Sequence, residues 1–455
     1  MNVKYRSSGF GRGPWQEQGA NMRRLALVCA SPAFDGGEMP LPMPSYGIHR
    51  VHAAARGASY PHDVDVRFFD LGELGREEGL RAILDFAPDL VGFSVYVWSM
   101  SNLLALAADI RARLPDTLFL FGGPSARRDA FDHFHYKQAA RIVDAVCEGD
   151  GEAIIVHLMA APVLNHATLA LTPGLWTRKD AGAGWTAQGD LLTMSLSATP
   201  SPYQQGLMPS GAVAYLETYR GCPLSCNFCA WGVSRPAREV FPTDYIEAEL
   251  KAFRALRAPA VFLLDAGLNL NAKGFRNLAE AHARDGFLSE ALFWAEIYPT
   301  LAKPEHIEFL ASVGTAYLGV GLQSIDERVL KAHNRPFDMR RLAPAVEELS
   351  RVAGLELQII MGLPEDTPES FRKTLDYALS LPVYSVRVYH CLVLPDALLS
   401  RSLPHWNVTF DPLNMTMLSN FSWSTHDLIA MRDELTNRVA NHGGASGEYW
   451  WSFRK

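Results

Sequence analysis

The sequence predicts an α/β protein of two β/α units in series: a Rossmann-like parallel sheet, then a partial (β/α)6 TIM-like barrel with a small C-terminal element. Three observations predict it. Short apolar runs alternate with helical patterns over residues 22–160 and again over 208–400, which is the pattern of parallel strands joined by helical crossovers. Residues 161–207 interrupt that alternation with Gly, Thr, Ser and Pro and read as a linker. Three of the six cysteines fall within eight residues just after the second alternation begins.

The chain has 455 residues, 48% of them hydrophobic, enough for two cores. Its 42 Lys and Arg against 49 Asp and Glu give a net charge of -7, which argues against a nucleic-acid footprint and for a small-molecule or peptide substrate. No apolar run reaches the roughly 18–20 residues that cross a bilayer. Residues 1–21 lack the apolar centre of a secretion signal and read as a flexible tail. A soluble, cytoplasmic protein with no membrane partner is therefore expected.

In the first unit, strands are expected at 25–30, 64–69, 90–95, 117–121 and 145–147. Between them, residues 101–114 place Leu103, Leu106, Ala107 and Ile110 at helical spacing, with Ser101 or Asn102 as the cap. The strand ends carry Ser31-Pro32, Asp70-Leu71-Gly72, Ser94-Val95-Tyr96, Gly122-Gly123-Pro124 and Glu148-Gly149-Asp150-Gly151-Glu152, small or polar residues that let backbone approach a ligand. In the linker, Ala-Gly-Ala-Gly at 181–184 and Thr-Pro-Ser-Pro at 199–202 exclude regular structure, apart from one hairpin.

In the second unit, strands are expected at 213–218, 260–264, 292–296, 316–320, 356–361 and 385–390, and helices at 243–256, 271–284, 303–312, 326–333, 339–352 and 367–380. Ile246, Leu250, Phe253 and Leu256 form an apolar stripe behind a Thr243 cap, and Thr367 precedes Pro368 at a first helical position. Residues 401–455 hold Trp406, Trp423, Trp450 and Trp451 without clean periodicity and read as a small appended element.

The remaining cysteines, Cys29, Cys147 and Cys391, are isolated, which is unlike a disulfide framework and fits a metal or cluster site in a reducing compartment. Cys222, Cys226 and Cys229 form CxxxCxxC directly after the first barrel strand, so three thiolates can take three corners of a cubane and leave one iron open. A structural zinc site is the alternative, but it needs four ligands, and no fourth Cys or His lies nearby in sequence.

This triplet, the preceding Arg220-Gly221 and Phe228 just before the last Cys closely resemble the radical SAM superfamily. The resemblance implies a [4Fe–4S] cluster on Cys222, Cys226 and Cys229, with S-adenosylmethionine chelating the open iron and yielding a 5′-deoxyadenosyl radical. It further implies that Phe228, Trp231, Glu296 at the third strand's end, Gln323 after the fourth, Gly362 after the fifth and Asp265 after the second face S-adenosylmethionine. Strand carboxyl ends are where barrel enzymes keep their chemistry.

The first unit is similar to the cobalamin-binding domain that precedes the barrel in one radical SAM class, through residues 91–98, Gly122-Gly123-Pro124 and Gly149-Asp150-Gly151-Glu152. Ser94, Tyr96, Trp98, Gly122, Gly123 and Gly149 are the implied cobalamin contacts. One departure is that the Asp-x-His-x-x-Gly loop is absent; His49 and His52 lack its pattern and are not expected to ligate cobalt. An aromatic such as Tyr96 or Trp98 would then cover the lower face. The resemblance implies a C-methyltransferase acting on an unactivated carbon of a small molecule or peptide in biosynthesis, with flavodoxin or ferredoxin as electron donor. Radical rearrangement, oxidation or cyclisation without methyl transfer is the first alternative, and a non-catalytic Fe–S or corrinoid carrier the second. Cys391 lies just beyond the sixth strand, in Tyr389-His390-Cys391, and residue type alone gives none of the three a catalytic role.

Overall fold

Leu25, Leu27 and Cys29 point into one core and Ala26 and Val28 into another, so the strand that carries them is buried on both faces. This is β1 (Arg23–Cys29), one strand in from the edge of a six-stranded sheet with β2 (Val64–Asp70), β3 (Leu90–Ser94), β4 (Leu118–Gly122), β5 (Ala145–Cys147) and β6 (Leu175–Thr177). The order is β2-β1-β3-β4-β5-β6, parallel as far as β5. This computed structural model describes residues 22–31, 43–132, 136, 141–178, 183–231 and 239–454. The expected tail, Pro32 and the first half of the Ala-Gly-Ala-Gly run lie outside them.

The segment expected to be a linker behaves differently. β6 pairs antiparallel with β5 after a short helix, His166–Leu171, that is capped by Asn165, and Leu169 and Leu175 are buried in the first core. The Thr-Pro-Ser-Pro run has no helix or strand but is not loose: Thr199 and Ser201 are buried, and the Tyr203 hydroxyl accepts the Tyr215 amide at 2.5 Å. The Tyr203 ring also stands 6.0 Å from that of Tyr46, so this stretch cements the joint between the two units. Proline excludes a ladder, not burial.

The second sheet contains β7 (Ala214–Leu216), β8 (Ala260–Leu263), β9 (Leu292–Glu296), β10 (Thr315–Gln323), β11 (Ala353–Met361) and β12 (Ser385–His390), each parallel to the next. Two expected caps move. Thr243 is the first helical residue of Thr243–Ala255, with its hydroxyl 3.1 Å from Glu280, and Ser101 and Asn102 lie inside Met100–Arg111. Thr367 does cap Pro368–Ser380, accepting the Ser370 amide at 3.2 Å.

The C-terminal residues are more than an appendage. After the small antiparallel pair β13 (Thr409–Phe410) and β14 (Met417–Ser419), the helix Thr425–His442 leads to β15 (Ala445–Ser446) and β16 (Trp450–Arg454). β16 pairs antiparallel with β12, and β15 with β16, extending the sheet to eight strands. Trp406, Trp423 and Trp451 are fully buried. Their burial in a long-range core, rather than any local period, explains why the pattern was silent there.

Candidate active site

The carboxyl ends of β3, β4 and β5 face the loop that follows β7. Between them lies a cleft with a cavity of about 380 Å3 that opens to solvent. From the first domain it is lined by Ser94, Tyr96, Gly122, Gly123 and Gly149, and from the second by Glu217, Arg220, Gly221, Ala230 and Trp231. At Gly123, φ is +97°, and an added Cβ would stand 2.7 Å from the Val95 nitrogen; at Gly149 it would stand 2.2 Å from Leu191. Gly123 therefore excludes a side chain, because backbone blocks it, whereas at Gly149 the Leu191 side chain would have to shift. Trp98 does not line the cavity. It is exposed and stacks on Tyr96 at 4.6 Å, backing that ring from outside. His49 and His52 are buried against Phe68 on the sheet side of the helix Tyr46–Gly57, and burial lowers both imidazoles to about 4.

Sequence reasoning missed the charges in this joint. Arg220 donates to Asp150 at 2.7 Å, Glu152 at 2.9 Å and Glu217 at 3.0 Å, and Arg50 lies 3.9 Å from Glu152 and Glu217. Arg50 and Glu152 are 1% and 4% exposed. Burial disfavours the Glu152 carboxylate, yet Arg220 and Arg50 hold its pKa below the usual range. Asp150 and Glu152 sit in the Gly149-Asp150-Gly151-Glu152 run that carries the cobalamin-domain similarity, and nothing in their spacing points to Arg220.

Gly221, at φ +92°, turns the chain into the cysteine loop. The Leu224 amide donates to Cys222 Sγ and the Trp231 amide to Cys229 Sγ, both at 3.4 Å. Burial raises the Cys222 and Cys229 thiols, and each is raised further by its neighbouring cysteines, while Arg335 lowers both and Arg401 lowers Cys229. All six cysteines are free. Three thiols from one loop, with amide donors on two sulfurs and two guanidiniums nearby, suit a [4Fe–4S] cluster.

The barrel positions divide. Gln323 has φ +67°, is 9% exposed, and its Oε1 is buried without a hydrogen-bond partner among the described residues. A strained residue with an orphaned acceptor is what a ligand site leaves behind, so this end of β10 fits S-adenosylmethionine. Glu296 is half-buried and accepts Gln358 Nε2 at 3.1 Å. Phe228 packs its ring 5.8 Å from that of His333. Gly362 has a packing reason of its own: φ is +92°, and an added Cβ would lie 2.9 Å from Leu428.

Asp265 points to chain rather than to open space, accepting the Thr218 amide at 2.8 Å, the Thr218 hydroxyl and the Tyr219 amide. It pins the strand end that launches the cysteine loop. Burial pushes its carboxyl up to about 7 despite these donors, above the roughly 3.9 of a free Asp, so folding favours the neutral acid. That contribution is complete below about pH 3.9 and is lost as pH rises through about 7. Thermal melts are expected to show the wild-type Tm falling relative to that of Asp265→Asn between pH 4 and 7.5; a constant difference would contradict the assignment.

A model of the radical SAM superfamily matches residues 216–378, and a model of the B12 binding domain matches residues 34–159. The chain is 28% identical over 336 residues to the cobalamin-dependent radical SAM methyltransferase TokK of Streptomyces tokunonensis, covering 68% of this chain and 48% of that protein. It is 25% identical over 346 residues to the hopanoid C-3 methylase of Methylococcus capsulatus, covering 74% and 64%. The chain thus spans about half to two thirds of the length of these relatives. The solved structure of the radical S-adenosylmethionine methyltransferase TsrM from Kitasatospora setae superposes with a TM-score of 0.70 at 16% identity, over 92% of this chain and 88% of that one, which is a likeness of fold. The cofactors that go with these two domains are a [4Fe–4S] cluster, S-adenosylmethionine and cobalamin. The chain thus carries a B12 binding domain ahead of a radical SAM domain, with the cleft between them.

Proposed function

We propose that this chain is a cobalamin-dependent radical SAM methyltransferase that methylates an unactivated carbon of a small molecule in a biosynthetic pathway. One observation carries the proposal: Ala230 and Trp231, which follow Cys229, share a cleft with Ser94, Gly122 and Gly149 from the ends of the first sheet. The named activities of TokK and the hopanoid methylase support it. When bound, the cluster with S-adenosylmethionine would supply one-electron chemistry and cobalamin a transferable methyl group.

Cys222, Cys226 and Cys229 would hold the cluster; Phe228, Gln323 and Glu296 would contact S-adenosylmethionine; Ser94, Tyr96, Gly122, Gly123 and Gly149 would contact the corrin. The chain's own work is positioning and exclusion of water. The glycines let backbone come close, Tyr96 backed by Trp98 offers an aromatic wall, and the Arg220 ion pairs hold one domain over the other. A flavodoxin or ferredoxin is the proposed electron donor. Six free cysteines favour a reducing cytoplasm, and no helix among the described residues is long and apolar enough to cross a membrane.

The test is anaerobic purification with iron, sulfide and cobalamin quantified, followed by incubation with S-adenosylmethionine, a reductant and candidate substrates. Formation of both 5′-deoxyadenosine and S-adenosylhomocysteine is expected. 5′-Deoxyadenosine alone would turn the assignment to rearrangement, oxidation or cyclisation, and neither nucleoside from cofactor-loaded protein would turn it to a carrier.

A further inference from the structure

A path of side chains joins the first domain to the cysteine loop outside any motif of either domain. Arg127 follows the Gly122-Gly123-Pro124 loop and is 8% exposed. Its Nη1 donates to the carbonyls of Gly123 at 3.0 Å and Ala126 at 3.1 Å, and its Nε donates to the Asp396 carboxylate. Asp396 lies beyond β12, 269 positions later in the chain. Its own carbonyl accepts Arg401 Nη2, which also donates to the Cys229 carbonyl at 2.6 Å, while Arg401 Nη1 donates to the Cys226 carbonyl at 3.1 Å. The path therefore runs from the glycine loop of the cleft to the backbone of two cluster cysteines.

The construction favours stiffness. Both cations are arginines, whose planar forks fix several acceptors at once where a lysine offers a single point charge. Asp396 holds φ +56°, a left-handed conformation that Asp and Asn tolerate better than other side chains.

We infer that Arg127, Asp396 and Arg401 are positioning residues that set the cysteine loop relative to the cleft, so that a change at the glycine loop is felt at the cluster. Coupling of this kind is reciprocal: what seats in the cleft stiffens the loop, and a formed cluster tightens the cleft. The ligand half of the inference rests on the corrinoid reading above. The mechanical half does not.

The experiment compares full-length, cluster-loaded wild type with Arg127→Gln, Asp396→Asn, Asp396→Gly and Arg401→Lys. Arg128→Gln is the control, because Arg128 bonds Glu148 at 3.0 Å and covers Trp176 within the first domain. Amide exchange of residues 222–229, short of the cleft-lining Ala230 and Trp231, is followed by mass spectrometry, and the reduced cluster by electron paramagnetic resonance. Arg127→Gln and Asp396→Asn are expected to speed that exchange at least about five-fold, the low end of typical coupling, and to move the cluster's g-values. Asp396→Gly, which keeps the backbone conformation without the carboxylate, should match Asp396→Asn, Arg401→Lys should fall between, and Arg128→Gln should match wild type. Hydroxocobalamin is expected to slow the exchange in wild type and not in Asp396→Asn. Wild-type exchange and spectra in both Arg127→Gln and Asp396→Asn would overturn the inference. Failure of wild type to take up hydroxocobalamin would instead sink the corrinoid reading, and the Arg127→Gln comparison would still decide the path.

Discussion

Replacing any one of Cys222, Cys226 and Cys229 by alanine is expected to strip the protein of iron and to reduce 5′-deoxyadenosine and S-adenosylhomocysteine to background. Each thiolate would bind a different corner of the cluster, so losing one leaves two protein ligands where the chemistry needs three plus an open iron. The two guanidiniums that act on Cys229, Arg335 and Arg401, offer no substitute, because cations cannot ligate. Cys391→Ala is the control. That thiol is 2% exposed and pushed up to about 12 by burial, which makes it an inert core residue. Iron and sulfide per chain, read beside the visible spectrum, check the result; wild-type iron in Cys226→Ala would place the cluster elsewhere.

Arg220→Met is expected to cost about 3–5 kcal/mol, the typical price of stranding a buried charge, because it removes the 2.9 Å partner of the buried Glu152 and leaves Glu152 and Glu217 with Arg50 at 3.9 Å. The loss falls at the joint between domains, so the urea midpoint should drop and hydroxocobalamin uptake should weaken together. Arg220→Lys should recover only part of it, since one ammonium cannot reproduce a fork that serves three carboxylates. Acid should act in the same direction. The folded Glu152 has a pKa below its unfolded value, so its contribution is present above about pH 4.5 and is lost as pH falls through the folded value. An unfolding free energy within about 0.5 kcal/mol of wild type, the range of ordinary surface changes, would show that these ion pairs do not carry the joint.

What the amino-acid order determined by itself was whatever depends on near neighbours. β9 and β12 span the residues expected of them, because apolar runs bounded by turn residues are local signals. The cysteine triplet is legible for the same reason, since seven residues of spacing already bring three thiols to one loop. The tertiary structure decided everything that rests on distant pairs. β6 joins a sheet from within an expected linker, and β16 closes onto β12 from a tail without period. Glu152 becomes an ion-pair partner only when Arg220, 68 positions later, folds against it, and Arg401 reaches the Cys226 carbonyl across 175 positions. Periodicity encodes which face of an element is buried, whereas the partner of a buried charge is set by how whole sheets dock, and no local pattern carries that information.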